Sequence, residues 1–181
     1  MRRRVLAFLW AFLFAFPAVS AVRAQSSPCE TDSAFRRLDF WVGDWDVYDP
    51  SGALAGRSVL EKILKGCAIS VDWHEADGSG EIREIFFYEK ARKTWRQVWI
   101  SDAGPTKERR SVGDGPDGAL RFVGEVLQVD GRSHLDRSTV TAAGEGRVHQ
   151  AIEISNDGGA TWKTVFTGEY RRHAPPGGAW R

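Results

Sequence analysis

Apolar and polar residues alternate with a period of two along most of the chain. The odd positions of Trp41–Val47 are apolar, with Asp44 and Asp46 between them, and residues 67–74 follow the same rule. This spacing is typical of strands with one buried face. Ten such segments are predicted, at residues 40–47, 53–64, 67–74, 81–89, 94–101, 106–112, 120–129, 132–141, 147–155 and 161–172.

The segments are separated by short turn sequences. Residues 49–52 and 77–80 are rich in Asp, Ser and Gly, and Asp130-Gly131 is a hairpin signal. No long segment has helical period, and no connection is long enough for a Greek-key return. The pattern therefore predicts an all-β fold, a single antiparallel up-and-down barrel of about ten strands. The charged segment 106–112 is expected to be a weak strand at an edge, with Lys107, Arg109 and Arg110 in solvent.

The N-terminus has the three parts of a cleaved signal peptide. Arg2–Arg4 are basic, Val5–Phe16 is uninterruptedly apolar, and Val22 and Ala24 are the small residues that a signal peptidase recognises. Cleavage is predicted after Ala24, although an uncleaved anchor is the alternative. We therefore expect a periplasmic or secreted protein without membrane insertion after cleavage. The domain plan is a signal at 1–24, a leader with a short helix at 25–37, the barrel at 38–172 and a disordered tail at 173–181.

Charge argues against a nucleic-acid partner. Four of the 25 basic residues leave with the signal, so 21 remain against 24 acidic residues and the mature chain carries a net charge of −3. No basic patch is expected. The oligomeric state cannot be derived from these counts.

Cys29 and Cys67 are the two cysteines of the chain. Export places them in an oxidising compartment, which favours a disulfide, while two unpaired thiols are the alternative. Their spacing fits no metal site, and no metal or cofactor is predicted.

The first strand carries Gly43-Asp44-Trp45, and the last strand ends in Arg171-Arg172. This arrangement resembles the lipocalin-like, or calycin, barrels. The resemblance implies that Trp45 plugs one end of the barrel and that a late arginine packs over its ring. Arg172 shares the parity of Trp162, Phe166 and Tyr170, so it is the better candidate, and Arg171 faces out.

A longer resemblance covers Leu38 to Arg172. The chain is similar to a family of uncharacterised, often exported bacterial domains, through segments 39–45, 66–69, 95–99, 147–150, 157–162 and 168–170. The resemblance implies a lipocalin-like barrel with no established ligand or activity. The chain departs from the family pattern at Lys107–Arg110.

Residues 155–162 also fit the Asp-box pattern, Ser-x-Asp-x-Gly-x-Thr-Trp. The pattern occurs once, whereas a propeller needs one per blade and a far longer chain. We interpret it as a structural hairpin in which Asp157 bonds turn amides and Trp162 packs behind.

The candidate ligand-binding residues lie on the apolar sides of the predicted strands. Four indoles (Trp45, Trp73, Trp95, Trp99) share those sides with Gln97 and Gln150, and they are expected to form one cluster beside any cavity. Trp73, Trp95, Gln97, Trp99 and Gln150 are the predicted pocket residues. The two amides could instead satisfy each other, or backbone, as core residues.

No catalytic constellation can be assembled from the sequence. Glu84 and Glu153 are a conceivable carboxylate pair that nothing brings together, and the four histidines are isolated and expected to be exposed, which disfavours haem. Three hypotheses remain: a binding module for a small apolar or amphiphilic molecule, a pocket hydrolase or isomerase, and an interaction protein with a filled barrel. A shifted carboxylate pKa inside the pocket would favour catalysis.

Expression with export tests the predicted signal. N-terminal sequencing of the secreted protein should begin at Gln25, because Ala24 is the residue before the cleavage site. Recovery from the cytosol with Met1 in place would contradict the assignment.

Overall fold

A computed structural model describes residues 27–114 and 118–174. The predicted signal peptide with its cleavage site, and the tail beyond Ala174, lie outside the described residues. The ten strands are β1 Gly43–Tyr48, β2 Leu54–Ile63, β3 Ala68–Glu75, β4 Glu81–Glu89, β5 Thr94–Ser101, β6 Thr106–Asp114, β7 Leu120–Leu127, β8 Ser133–Ala142, β9 Val148–Ser155 and β10 Lys163–Arg172.

The strands form one closed barrel. Each strand pairs antiparallel with its neighbours in the chain, and β1 pairs with β10 to close the sheet. The predicted fold class, a ten-stranded antiparallel up-and-down barrel, is confirmed. The expectation that the charged segment around Lys107 lies at an edge is wrong, because β6 pairs with β5 on one side and with β7 on the other.

The first strand begins later than the alternation predicts. Residues Asp39–Trp41 form a 3-10 turn, and β1 starts at Gly43, whose φ of 143° suits glycine. Trp41 is buried in this turn, so its apolar side chain continues the alternating pattern although the residue is not part of the strand. The last strand also starts later than predicted, at Lys163, because the preceding residues belong to the turn after β9.

The leader forms two short helical segments, an α-helix at Pro28–Thr31 and a 3-10 helix at Ser33–Arg36. Ser27 caps the first, because its hydroxyl accepts the Cys29 amide while the Glu30 carboxylate accepts the Ser27 amide. Asp32 caps the second by accepting the Ala34 amide. The short leader helix that the sequence predicts is therefore a pair of turns.

The leader covers one end of the barrel, which we call the capped end. The ring of Phe35 packs edge-on to Tyr88 at the end of β4, and Trp95 at the start of β5 donates its indole N–H to the Ala34 carbonyl over 3.0 Å. Cys29 and Cys67 are joined by a disulfide, which ties the leader to the residue before β3. Packing and a covalent bond therefore hold the cap in place.

Large apolar side chains fill the barrel beneath the cap. Trp41 packs edge-on against Phe86 and Tyr170, and Phe86 in turn packs against Phe122. All four are at most 3% exposed. Burial of such rings supplies most of the apolar stabilisation at this end.

Removal of the disulfide should destabilise the fold. The bond closes a loop across a sequence separation of 38 residues, which on the chain-entropy model is worth about 4 kcal/mol. We expect the Cys29→Ser/Cys67→Ser double variant to lose stability of this order in urea denaturation. The oxidised protein, denatured without reductant, should show no titratable thiol, and two free thiols would contradict the bond.

Candidate functional site

The seam between β1 and β10 is held by Trp45, Arg172 and Gly43. The Trp45 ring is fully buried, and the Arg172 guanidinium lies 3.8 Å from its centroid. Arg172 also donates to the Val42 carbonyl over 2.9 Å. A Cβ on Gly43 would lie 1.7 Å from Nη1 of Arg172, so only glycine leaves room for this contact. Arg171 packs over Tyr48 instead.

A pocket of about 190 Å³ opens at the other end of the barrel, which we call the mouth. The pocket is surrounded by the late part of strands β3 and β5 and by the early part of β4, β6 and β10. Small residues make room for its large ones: a Cβ on Gly56 would lie 2.5 Å from the Trp73 ring. The barrel is therefore filled at the capped end and hollow at the mouth.

Apolar and polar side chains both line the pocket, and we call the two sets its apolar wall and its polar wall. The apolar residues are Trp73, Ile82, Trp99, Ile152, Val165 and Phe166. The polar residues are Glu84, Gln97, Lys107, Arg109, Gln150 and Tyr170, with Glu75 also in the lining. Such a division orients a molecule that has one apolar and one polar end.

Asp136 forms ion pairs with two cations of the polar wall. It is fully buried on β8 and accepts from Arg109 Nε over 2.7 Å and from Lys107 Nζ over 2.8 Å. Arg109 is itself 2% exposed. The expectation that Lys107 and Arg109 are solvated is therefore wrong, because β6 turns both side chains into the barrel, where Asp136 offsets the cost of burying them.

This ion pair reaches across an intervening strand. The register places Gly124 of β7 directly opposite Asp136, and a Cβ there would lie 1.8 Å from the Glu108 carbonyl and 3.1 Å from the Cα of Arg109. Because Gly124 has no side chain, Arg109 of β6 can meet a carboxylate of β8.

Gln97 connects this ion pair to Glu84. Its side-chain oxygen accepts from Arg109 Nη1 over 3.0 Å, and its amide nitrogen donates to the Glu84 carboxylate. Burial raises the pKa of Glu84, and the positive charge of Arg109 opposes the shift. Glu84 lines the pocket, so its carboxyl group can contact a bound molecule.

Gln150 belongs to a second, uncharged set of bonds. Its side-chain oxygen accepts from the Tyr170 hydroxyl over 2.6 Å, and its amide nitrogen donates to the Ser138 hydroxyl over 3.1 Å. Burial raises the pKa of Tyr170 well above its ordinary value, and the nearby Glu84 charge adds to the shift. The two glutamines do not bond each other; each is fixed by other side chains and also faces the pocket.

Two buried polar atoms next to the pocket have no partner among the described residues. They are Nε1 of Trp73 and Oγ of Ser58, whose residues face each other across β3 and β2. An unpaired buried donor costs free energy that a suitable acceptor would restore. Trp73 is also one of the residues that line the pocket.

The turn after β9 has the structure expected of the Asp-box sequence. Asp157 accepts from the amide and the hydroxyl of Thr161, and Trp162 donates to the Gly159 carbonyl. The hydrogen bond from the Thr161 hydroxyl is the main cause of a pKa of about 2 for Asp157. Arg137 stacks on the Trp162 ring, 4.0 Å from its centroid. These contacts are structural and lie outside the pocket lining.

Four of the five predicted ligand-binding residues line the pocket: Trp73, Gln97, Trp99 and Gln150. Trp95 does not, because it lies at the start of β5 and bonds the leader. Trp45 is also apart, under Arg172 at the seam. The predicted single indole cluster is therefore divided between the two ends of the barrel. Strand parity shows whether a side chain points inward, but it does not show how far along the barrel axis the side chain lies.

The polar pocket residues that were not predicted from the sequence are Glu75, Glu84, Lys107, Arg109 and Tyr170. Lys107 and Arg109 are two residues apart in β6, so their side chains lie on the same face of the strand. Only a known buried partner would have shown that this face is the inner one. Glu84 was obscured because β4 also carries apolar residues on its outer face, where Ile85 is 44% exposed. Glu153 bonds Arg137 instead of Glu84.

No histidine lines the pocket in the part of the chain that the structure describes. The side chains of His74 and His149 are about half exposed, and His173 bonds Asp46 over 2.8 Å. Within residues 27–114 and 118–174, no group of three or more His, Cys, Asp or Glu side chains could hold a metal ion. The same residues contain no helix long and apolar enough to cross a membrane.

Comparison with known proteins gives no relative: no protein-family model matches the chain, and the search of curated proteins returns no match. The site must therefore be interpreted from its own geometry.

Replacement of Asp136 by Asn should strongly destabilise the barrel. The change leaves Arg109 and Lys107 without a counter-charge, and loss of one partner of a buried pair typically costs about 3–5 kcal/mol. Asp72→Asn is the matched control, since its partner Arg83 is 61% exposed and such pairs contribute about 0–1 kcal/mol. Urea denaturation of both variants measures the difference, and equal small losses would show that the buried pair is unimportant for stability.

Proposed function

We propose that this barrel binds a small, compact amphiphilic molecule in the pocket at its mouth. The observation that carries the proposal is a pocket lining that combines aromatic and aliphatic side chains with hydrogen-bonding side chains. The apolar part of the ligand packs between Trp73, Trp99 and Phe166, and its polar group meets the polar wall. Export to the periplasm or the medium, as the N-terminal sequence predicts, is part of the proposal.

The volume limits the size of the ligand. Engineered protein cavities of roughly 150 Å³ hold one benzene molecule, and sites for drug-sized molecules occupy about 300–1,000 Å³. At about 190 Å³, the pocket suits a ring with a short polar substituent. A long acyl chain would extend out of the mouth.

The polar wall is rigid enough to select a ligand. Gln97 is fixed between Arg109 and Glu84, and Gln150 between Tyr170 and Ser138. A wall whose donors and acceptors are already oriented loses little entropy on binding. The unpaired N–H of Trp73 adds a donor for an acceptor on the ligand.

An enzyme is the second candidate, favoured by the raised pKa of Glu84 inside the pocket. Turnover of a small aryl ester that Glu84→Gln abolishes would establish this candidate. Binding is the better-supported function, because burial alone accounts for the shift and no nucleophile with an activating base lines the pocket among the described residues.

Titration with phenethyl alcohol tests the binding proposal. The ring should enter beside Trp73 and Trp99, so tryptophan fluorescence should change saturably, and calorimetry should give one site. Ile152→Phe places extra atoms in the pocket and should weaken binding by about tenfold or more. Ile85→Phe is the matched control on the outer surface and should bind like the unchanged protein. Equal affinities in all three proteins would place binding elsewhere.

A further inference from the structure

The charges around the pocket are arranged unequally. Lys107 and Arg109 share the single carboxylate of Asp136, whereas Glu84 makes no ion pair with any described residue and is held by the amide of Gln97. Apart from Glu75, which lines the mouth at the end of β3 and is partly exposed, the pocket therefore has two cations, one committed counter-charge and the carboxylate of Glu84, whose ionisation decides whether this inner set is neutral or positive.

Glu84, Trp99 and Lys107 form one inward-facing row. The register places Glu84 of β4 opposite Trp99 of β5, and Trp99 opposite Lys107 of β6. The ammonium of Lys107 lies 4.8 Å from the centroid of the Trp99 ring. A ring that packs on Trp99 therefore has an ammonium on one side and a carboxyl group on the other.

Lys107 has donors to spare. Its ammonium carries three N–H groups, and the contact with Asp136 uses one of them. Its side chain is 21% exposed, whereas that of Arg109 is 1% exposed and bonded to Asp136 and Gln97. Lys107 can therefore contact a ligand directly, and Arg109 contributes its charge from behind.

We propose that the ligand of this pocket is a small cyclic or aromatic carboxylate, whose anionic group bonds Lys107, and that Glu84 takes up one proton when it binds. The inference deepens the proposed function and rests on it. With Glu84 neutral, the inner set of Lys107, Arg109, Asp136 and Glu84 sums to one positive charge, which the ligand anion balances. The carboxyl O–H of Glu84 then donates to the bound carboxylate, while its other oxygen keeps the bond from Gln97.

Protonation of Glu84 agrees with its surroundings. Burial raises its pKa, and the groups that face it are Glu75, Lys107, Arg109, Asp136 and Tyr170. His134 lies near the mouth, at the start of β8. Above the pKa of Glu84 the proton must be taken from solvent when an anion binds. The affinity for an anion should therefore fall as the pH rises, by up to about tenfold per pH unit.

Three probes of the same shape separate the charges: phenylacetate, phenethyl alcohol and phenethylamine. Calorimetry on the disulfide-bonded protein in two buffers of different ionisation enthalpy measures affinity and proton uptake together. We expect phenylacetate to bind about tenfold more tightly than phenethyl alcohol, with uptake of up to one proton. Phenethylamine should bind most weakly.

Three variants assign the proton. Glu84→Gln keeps the bond from Gln97 and cannot ionise, so its affinity for phenylacetate should no longer depend on pH between 6 and 8. Glu153→Gln on the outer surface and His134→Gln at the mouth should keep the pH dependence of the unchanged protein. A pH dependence that persists in Glu84→Gln, or that disappears in His134→Gln, would overturn the assignment.

The remaining outcomes distinguish the two proposals. Equal affinities for all three probes, or phenylacetate binding without proton uptake above neutral pH, would overturn the inference while leaving a binding pocket. Tighter binding of phenethylamine would also overturn it, since Glu84 would then be an ionised partner for a cation. Failure of every probe to bind would remove the proposed function and the inference with it.

Discussion

Closure of the sheet sends every second side chain of each strand into one shared interior, and that interior must be filled, solvated or charge-balanced. Ten strands enclose more space than a single layer of side chains occupies. The leader fills this space at one end, where Phe35, Trp41 and the disulfide hold it over the barrel. The space that remains lies at the mouth, so the position of the pocket follows from which end the leader covers.

Charge balance is the second consequence of closure. A lysine and an arginine on the inner face of β6 cannot reach solvent around an edge, because the barrel has none. Asp136 compensates them from two strands away, across the space left by Gly124. The polar wall is thus a structural requirement of the barrel and, at the same surface, the part of the pocket that can distinguish one ligand from another.

The same reasoning separates what the sequence could predict from what it could not. Alternation predicted the strands. The resemblance carried by Gly43 and Trp45 implied that a late arginine packs over Trp45, and strand parity selected Arg172. Arg109 could not be placed, because a charged side chain is expected in solvent unless a buried partner is known. The partner, Asp136, follows only from the register of the strands. Trp95 and Trp99 share one face of β5. Only the position of the leader on the barrel shows that Trp95 is in the core and Trp99 in the pocket.

The seam between the first and last strands has a kinetic consequence. Its ladder has four residue pairs, from Trp45 with Arg172 to Tyr48 with Glu169, and it joins positions more than 120 residues apart. Every other pairing in the barrel joins neighbours in the chain, so closing the seam carries the largest loop-closure entropy. Folding should therefore begin with the nine hairpins and end with this ladder. The contact between the Arg172 guanidinium and the Trp45 ring then stabilises the pairing that forms last. Hydrogen exchange should first reveal local opening of the barrel at this seam.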